Sequence, residues 1–484
     1  MKRRGLILVC IVALAAALRW YQIGLGSLWI DEGNSITLAR MPWGRFVETL
    51  WRYEANQALY YGLLRSWMRV GDSEAVVRSL SAVFGTAAVA ALYWLGRRLF
   101  GARVGLLAAA LLAVNMFYIW FSQEARSYAL VVLLTVLSLL LFVEAMEHPR
   151  RWGVWSGYAI TSVLAVYAHF FAALVLAAQW LAPGPRRLRD VGPRRLALVS
   201  LTLALPLAPM AAFILWRDQG QIDWIPPTTA GGFLLTLVAL SGFNPLMLVL
   251  QVIGLVWSLK DLTRDDDDGW RMRLVGLSFA FPIAAVAVVS FAKHLFFFRY
   301  FAICLPTGVL LAARVLSPVR PLSTPKRIMV GTLATLTLGL GLLVTGSSYQ
   351  RLHNWGGDWR SATEYVLANR QPGDGIVFYV SAGLDAYRYY QDRVPSRGGA
   401  RPFPVVVFPE ATELASAHLV PDSARLRDAS AQHPRLWLVL HQRDASALPA
   451  PFLASLRLVE ERRFTAAGPE MRLTVALYQT GAHP

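Results

Sequence analysis

The chain has 484 residues, is 56% hydrophobic and 16% charged, and breaks into many separate apolar runs. Runs of roughly 17–25 apolar residues match the hydrocarbon core of a bilayer in helical form, so a soluble globular fold is excluded and a polytopic α-helical membrane protein is indicated. The net charge of +17 does not point to nucleic acid, because most Lys and Arg residues sit in short loops between apolar runs, where the positive-inside rule puts them.

Lys2, Arg3 and Arg4 precede the first apolar run, 5–22. No small-residue cleavage site follows, so the run reads as a retained first span with its basic end inside. Span 2 (74–98) must then return inward, and it ends at Arg97, Arg98 and Arg103. Span 3 (104–121) leads out to SQEARSY, and span 4 (128–146) comes back to HPRR. The stretch 152–181 reads as two short helices broken near Tyr167 to His169, because one long helix would turn the arginines of PGPRRLRDVGPRR outward. Span 7 (196–216) opens into RDQGQIDWIPP, span 8 (233–259) returns, span 9 (274–292) leads to KHLFFFRY, and span 10 re-enters through Leu316. Span 11 (328–346) delivers the rest of the chain to the outer side, giving about 11 transmembrane helices. Cys10 and Cys304 both lie in apolar runs, which disfavours a structural disulfide.

Two regions lie outside the spans. In the first outer loop, 23–73, Leu59, Leu63, Trp67 and Val70 share one face of NQALYYGLLRSWMRV, as in a juxtamembrane helix lying on the bilayer surface. Residues 349–484 change character. Apolar runs shorten to strand length in IVFYV, LWLVL and LTVALY, punctuated by Pro, Gly and Asp, so a soluble α/β domain is expected. Within it, Asp358 is the expected N-cap of a helix stopped by Pro372 and Gly373, and a β-hairpin is expected around Ala466 to Pro469. No internal repeat suggests inverted transporter halves.

Charge parity therefore brings Asp31 and Glu32, Glu124 and Arg126, His169, and Lys293, His294 and Arg299 to one side. Ionisable groups at a membrane boundary are costly unless paired or functional, so carboxylates on two loops facing cations on others suggest a site for an anionic, polar-headed substrate. A carboxylate can take a proton from a hydroxyl nucleophile or bind a divalent cation, and Arg or Lys can neutralise a phosphate leaving group. Each element also has a plainer reading. Asp31 can be a helix N-cap, Glu124 and Arg126 a structural pair, His169 a packing residue among aromatics, and Lys293, Arg299 and Tyr300 interface anchors. The run Asp265 to Asp268 looks like a metal cluster, but parity places it inside, as a solvated loop.

The motifs WIDEG, ALYYGLLRSWMRVGDSEAVVRSLSAVFG, YWLGRRLFGARVGLLAAALLAVN, FSQEARSYAL, YAHFF and FRYFAICLP, in this order, resemble the GT-C superfamily of polytopic glycosyltransferases. Within it they resemble the family 39 and protein-mannosyltransferase-like group that includes the lipid A aminoarabinose transferase. The resemblance covers most of residues 20–310. It implies a GT-C transmembrane catalytic domain over 1–348, with a cavity open to the periplasmic or extracellular side of the cytoplasmic membrane, and an extracytoplasmic domain over 349–484. It implies a polyprenyl-phosphate-linked sugar donor and an acceptor that is a lipid, glycan or protein. Asp31 occupies the position of the family's first-loop acid, with Glu32 beside it; Glu124 and Arg126 fall in the second acidic motif. Arg299 and Tyr300 fall in an Arg-Tyr motif suited to the donor phosphate. Tyr60, Tyr61, His169 and His294 are further candidates for substrate contact. Where relatives carry a His-Pro-Pro or Lys-bearing segment, this chain has Asn56, Gln57 and Ala58, leaving Lys293 or Arg126 to supply the phosphate contact. Mg²⁺ or Mn²⁺ held by Asp31 and Glu124 stays open. A transporter or flippase of lipid-linked sugars is the competing class; it requires polar residues continuing through the spans, and spans 2, 3 and 4 have few.

Overall fold

The computed structural model describes residues 2–216, 225–261, 264, 266–318, 323–352, 356–378, 383–393, 405–407, 423–441, 446, 448, 450–464 and 472–480. Helix α1 (Lys2–Trp20) leads to three short helices, α2 (Ile30–Arg40), α3 (Trp43–Arg52) and α4 (Ala58–Trp67). A bundle follows: α5 (Glu74–Phe100), α6 (Ala102–Ala113), α7 (Met116–Ser122), α8 (Tyr128–Glu147), α9 (Trp152–Ala168), α10 (Ala172–Leu181), α11 (Pro185–Val191), α12 (Pro193–Trp216), α13 (Ala230–Leu240), α14 (Pro245–Lys260) and α15 (Asp267–Val289). A 3₁₀ turn (Phe298–Cys304), α16 (Leu305–Val315) and α17 (Thr324–Leu352) complete it.

Among the described residues, six helical segments are long and apolar enough to cross a membrane, or eight if two bent pairs each count as one. The protein is a multi-pass membrane protein. The sequence leads one to expect eleven spans. The difference lies in α1, which carries Lys2, Arg3, Arg4 and Arg19, and in α9 and α10, which are too short singly. Span 3 bends by 64° between α6 and α7, and span 8 by 98° between α13 and α14. At each bend an asparagine caps the second helix: Asn115 accepts from Tyr118 N and Asn244 from Met247 N, giving the broken helix a fresh N-terminus. The break between α9 and α10 falls at His169 to Phe171, as the charge rule predicts.

Arg19 shows how a cation survives in α1. It is fully buried, with its guanidinium donating to Ser122 Oγ at 3.2 Å and to the carbonyls of Ala15, Leu112 and Ala113 at 3.1–3.2 Å. The bend after α6 exposes the last two of those carbonyls, so one irregularity satisfies the other.

Beyond α17 a five-stranded mixed sheet has the order β2-β1-β3-β5-β4, built from β1 (Gly375–Phe378), β2 (Val405–Val407), β3 (Arg435–His441), β4 (Leu456–Arg463) and β5 (Leu473–Thr480). Strands β2, β1 and β3 are parallel, and β3, β5 and β4 antiparallel. Helices α18 (Trp359–Asn369), α19 (Gly383–Gln391), α20 (Ser423–Gln432) and α21 (Ala450–Ala454) accompany them. Asp358 caps α18, accepting from Ser361 N. Strands β4 and β5 pair as a hairpin, and the turn expected at Ala466 to Pro469 lies outside the described residues.

This region docks on the first loop. Gly33 of α2 lies against α19 so closely that a Cβ there would fall 2.7 Å from Ala386 N. Thr37 donates to Asp385 at 2.9 Å, Leu28 N donates to Tyr390 Oη at 2.7 Å, and Arg360 pairs with Glu74 at 2.7 Å. In α4 the buried side chains are Tyr60, Tyr61 and Leu64, whereas Leu63 and Val70 of the expected surface face are exposed.

Candidate active site

Asp31 and Glu32 are successive residues in the first turn of α2, so their side chains diverge by about 100° around the helix. The N-cap is Trp29, which removes the capping role considered for Asp31.

Glu32 is fully buried and its carboxylate is filled. Oε1 accepts from Arg78 Nε at 2.8 Å and from Ala125 N at 2.9 Å; Oε2 accepts from Arg78 Nη2 at 2.7 Å and from Trp29 N at 3.4 Å. The rest of Arg78 donates to the carbonyls of Ile23, Gly26 and Ser27. This bidentate pair ties α2, the segment between α1 and α2, α5 and the loop after α7 into one unit. Arg78 escapes a reading of motifs, although an arginine inside an apolar span is itself a signal of a buried partner.

Asp31 is placed differently. Its side chain is 30% exposed, and its Oδ2 accepts from Arg299 Nη1 at 2.9 Å and lies 3.8 Å from Arg126 Nη2. Arg299 is held over the rings of Trp29 and Phe297, at 5.0 and 4.7 Å. Arg126 also donates to Tyr61 Oη at 3.0 Å, and Tyr61 donates to Glu54 Oε1 at 3.0 Å. Burial pushes the Glu54 carboxyl up, against the opposing pull of Arg126 and the Tyr61 hydrogen bond. Tyr60 Oη and Ser81 Oγ share a 2.8 Å bond, and Ser81 donates to the Arg126 carbonyl.

Glu124 does not pair with Arg126. Its Oε2 is buried without a hydrogen-bond partner among the described residues, beside a cavity of about 30 Å³ lined by Trp29, Glu32, Arg78, Gln123 and others. That is room for a water molecule. Burial raises its pKa to about 8; Glu32 and Asp31 act in the same direction, while Arg299 and Arg126 oppose. Glu124 is thus mostly a neutral acid at neutral pH.

His169 packs against Tyr300, Phe171 and Tyr128, with ring centroids at 5.3, 5.5 and 5.9 Å. Its Nδ1 accepts from Phe171 N, and burial pushes the imidazole down to about 3, so the ring is neutral. Asn56 and Gln57 stitch loops together, Asn56 accepting from Phe170 N and Gln57 from Ser127 N. Lys293 and His294 lie exposed on the loop after α15, whereas Arg299 is buried. Asp266 caps α15 and pairs with Arg264, and Asp267 pairs with Arg187, at the far end of α15; Asp265 lies outside the described residues.

The structure therefore gathers Asp31, Glu32, Glu124, Arg126, His169, Arg299 and Tyr300, together with Tyr60 and Tyr61. It adds Glu54, Arg78 and Trp29. The set does not suit a divalent cation: two guanidinium groups occupy the surroundings of Asp31, and no three His, Cys, Asp or Glu side chains converge among the described residues.

The fold is similar to that of ArnT from Cupriavidus metallidurans. The apo form aligns with a TM-score of 0.65 over 98% of each chain at 14% identity. The chain has the GT-C fold. The undecaprenyl phosphate-bound form of ArnT aligns at a TM-score of 0.60 over 97% of each chain, also at 14% identity. An archaeal oligosaccharyltransferase, AglB from Archaeoglobus fulgidus, in complex with an inhibitory peptide and a dolichol-phosphate, aligns at 0.53 and 12% identity. That match covers 90% of this chain and 69% of AglB. In sequence, the family model for dolichyl-phosphate-mannose-protein mannosyltransferase matches residues 59–216, which run from α4 to α12 of the GT-C bundle. No curated protein sequence matches the chain significantly.

Proposed function

We propose that the protein is a glycosyltransferase that moves a sugar from a polyprenyl-phosphate donor to an acceptor at the outer face of the cytoplasmic membrane. Residues 1–348 form the catalytic domain and 349–484 an extracytoplasmic domain over the first loop. The observation that carries this reading is the contact of Asp31 with Arg299 and Arg126, one partly exposed carboxylate facing two buried guanidinium groups at one end of the bundle. ArnT with undecaprenyl phosphate and AglB with dolichol-phosphate share the fold, which supports a lipid phosphate as the ligand of the two arginines.

In the proposed reaction the donor phosphate enters between Arg299 and Arg126 and competes with Asp31 for them. Asp31, released, accepts the proton of the acceptor hydroxyl as its oxygen attacks the anomeric carbon. The bond from that carbon to the phosphate oxygen breaks on the opposite face, its electron pair leaves with the polyprenyl phosphate, and the sugar inverts. Charge on the leaving phosphate is fully developed only as the bond breaks, so the arginines stabilise the transition state more than the bound donor. Glu32, with every oxygen committed to Arg78 and backbone donors, acts as the anchor of α2 and not as a second base. Tyr60 and Tyr61 act from behind Arg126, and Tyr300 and His169 form an aromatic wall beside Arg299.

The test is transfer of a labelled sugar from its polyprenyl phosphate by purified protein. Asp31→Asn is expected to lower turnover about 100-fold or more, the usual scale for removing a general base, and Arg299→Ala to impair donor use. Full turnover by Asp31→Asn removes the base assignment. Lipid-linked sugar crossing sealed vesicles without any transfer would favour a flippase.

A further inference from the structure

Helix α16 begins after the 3₁₀ turn that carries Arg299 and runs away from it to Arg314. At that far end the close of α14, the first turns of α15 and the close of α16 leave a cavity of about 200 Å³, lined by Trp257, Lys260, Asp261, Met272 and Arg314. It is several times the roughly 30 Å³ that one water occupies in the liquid. Two of its five lining residues are cations. Arg314 Nη1 donates to the Ser317 carbonyl at 3.0 Å, and its guanidinium lies over the Phe100 ring at 5.6 Å, so no carboxylate holds it among the described residues. Lys260 is exposed at the last position of α14. The one acid in the lining, Asp261, is committed elsewhere: its Oδ1 accepts from Arg264 Nη1 at 3.0 Å. The cavity therefore keeps an excess of positive charge, and an anion is the ligand that suits it.

The surface leading to the cavity is apolar. Ile253, Trp257 and Lys260 recur at i, i+4 and i+7, so they share one face of α14. Ile253 and Trp257 are exposed on it, and Val252, Val256 and Leu259 are exposed beside them. Helix α14 is the second half of a bent apolar segment, so this strip meets acyl chains, and Trp and Lys are the residues that gather at headgroup depth. A soluble phosphate would use the cations and leave the strip idle. A phospholipid uses both.

We propose that this cavity binds the headgroup phosphate of an anionic phospholipid, with Lys260 and Arg314 on the phosphate and the acyl chains along the face of α14 that carries Ile253 and Trp257. Arg314 offers a planar fork of donors and Lys260 a compact charge. Because they stand on α16 and α14, one headgroup bridges two helices. Basic pockets between spans are a recurrent form of headgroup site. The cavity shares no residue with the Asp31 cluster, and the inference stands apart from the reaction proposed above.

Full-length protein in detergent would be titrated with dioleoyl-phosphatidylglycerol or dioleoyl-phosphatidylcholine, and bound lipid counted by native mass spectrometry, with inorganic phosphate as competitor. Phosphatidylglycerol is expected to be retained in preference to phosphatidylcholine. Its half-saturation should rise about fivefold in Lys260→Gln, the scale of one basic residue beside an anionic headgroup, and return to the wild-type value in Lys260→Arg. Lys326→Gln removes an exposed lysine at the start of α17, outside the cavity, and should bind as wild type. The Lys260 side chain makes no contact that the fold relies on, so Lys260→Gln should melt with wild type, whereas Arg314→Gln also loses the Ser317 and Phe100 contacts. Equal half-saturation in wild type and Lys260→Gln overturns the proposal. So does an equal loss in Lys326→Gln, which marks diffuse attraction to the surface. Inorganic phosphate that displaces phosphatidylglycerol at equal concentration overturns the lipid assignment in favour of a soluble phosphate.

Discussion

Arg299 Nη1 stands 2.9 Å from Asp31 Oδ2, and Arg126 Nη2 approaches the same oxygen at 3.8 Å. The two arginines come from different parts of the chain, yet one carboxylate oxygen orders both. Without Asp31, two buried cations would face each other, so the acid holds the two arginines together as well as serving as the proposed base.

Asp31→Asn keeps the shape of the side chain and removes its charge. It is expected to retain or tighten binding of undecaprenyl phosphate, because the arginines gain an uncontested anion, while turnover collapses. Isothermal titration with undecaprenyl phosphate in detergent, run beside the transfer assay, separates the two effects. Loss of both together would mark Asp31 as a scaffold residue.

Glu32→Gln should act on the fold. Removing one partner of a buried ion pair strands the other, at a cost of about 3–5 kcal/mol, and Arg78 is 7% exposed. Thermal denaturation in detergent should show a large drop for Glu32→Gln and for Arg78→Met. A Glu32→Gln protein as stable as wild type would contradict the anchoring role.

Glu124 predicts a pH dependence of stability. Its folded pKa of about 8 lies above the reference value of 4.5, so between those values only the folded state holds the proton. Stability from this group is complete below about pH 4.5 and is lost as pH rises through about 8. Glu124→Gln removes the titration while Glu32, Asp31, Arg126 and Arg299 remain around it. Its melting temperature should vary less between about pH 5 and 8 than that of wild type, with the variant the more stable at the upper end. Parallel profiles would refute the assignment.

Gly33→Ala places a methyl 2.7 Å from the backbone of Ala386. Overpacking of this kind costs about 1–3 kcal/mol, and here it is directed at the contact between α2 and α19. Limited proteolysis should cut within α19 faster in the variant. An unchanged cleavage rate would show that α19 accommodates the methyl group.

Much of the architecture was legible because a bilayer imposes simple rules. Apolar length and loop charge located the spans, and the break at His169 followed from where five arginines could lie. The helix capped by Asp358 and the paired strands β4 and β5 followed from local capping and period-2 patterning. The expected count exceeds the six to eight segments that are long and apolar enough partly because α1, read as a span from its apolar run, also carries Arg19, which Ser122 and three carbonyls accommodate.

For the site, the sequence by itself determined the ingredients, namely acids and arginines assigned to one side by parity, in the order of a GT-C glycosyltransferase. Only the tertiary structure decided which partner each one meets. Asp31 and Glu32 are neighbours in the chain and chemically alike, but one turns toward Arg299 and Arg126 and the other toward Arg78. Glu124 became a neutral acid through burial. The reason is physical: spacing along the chain sets which residues share a surface, whereas protonation and partner choice depend on the dielectric and charges around each atom, which exist only once distant segments pack.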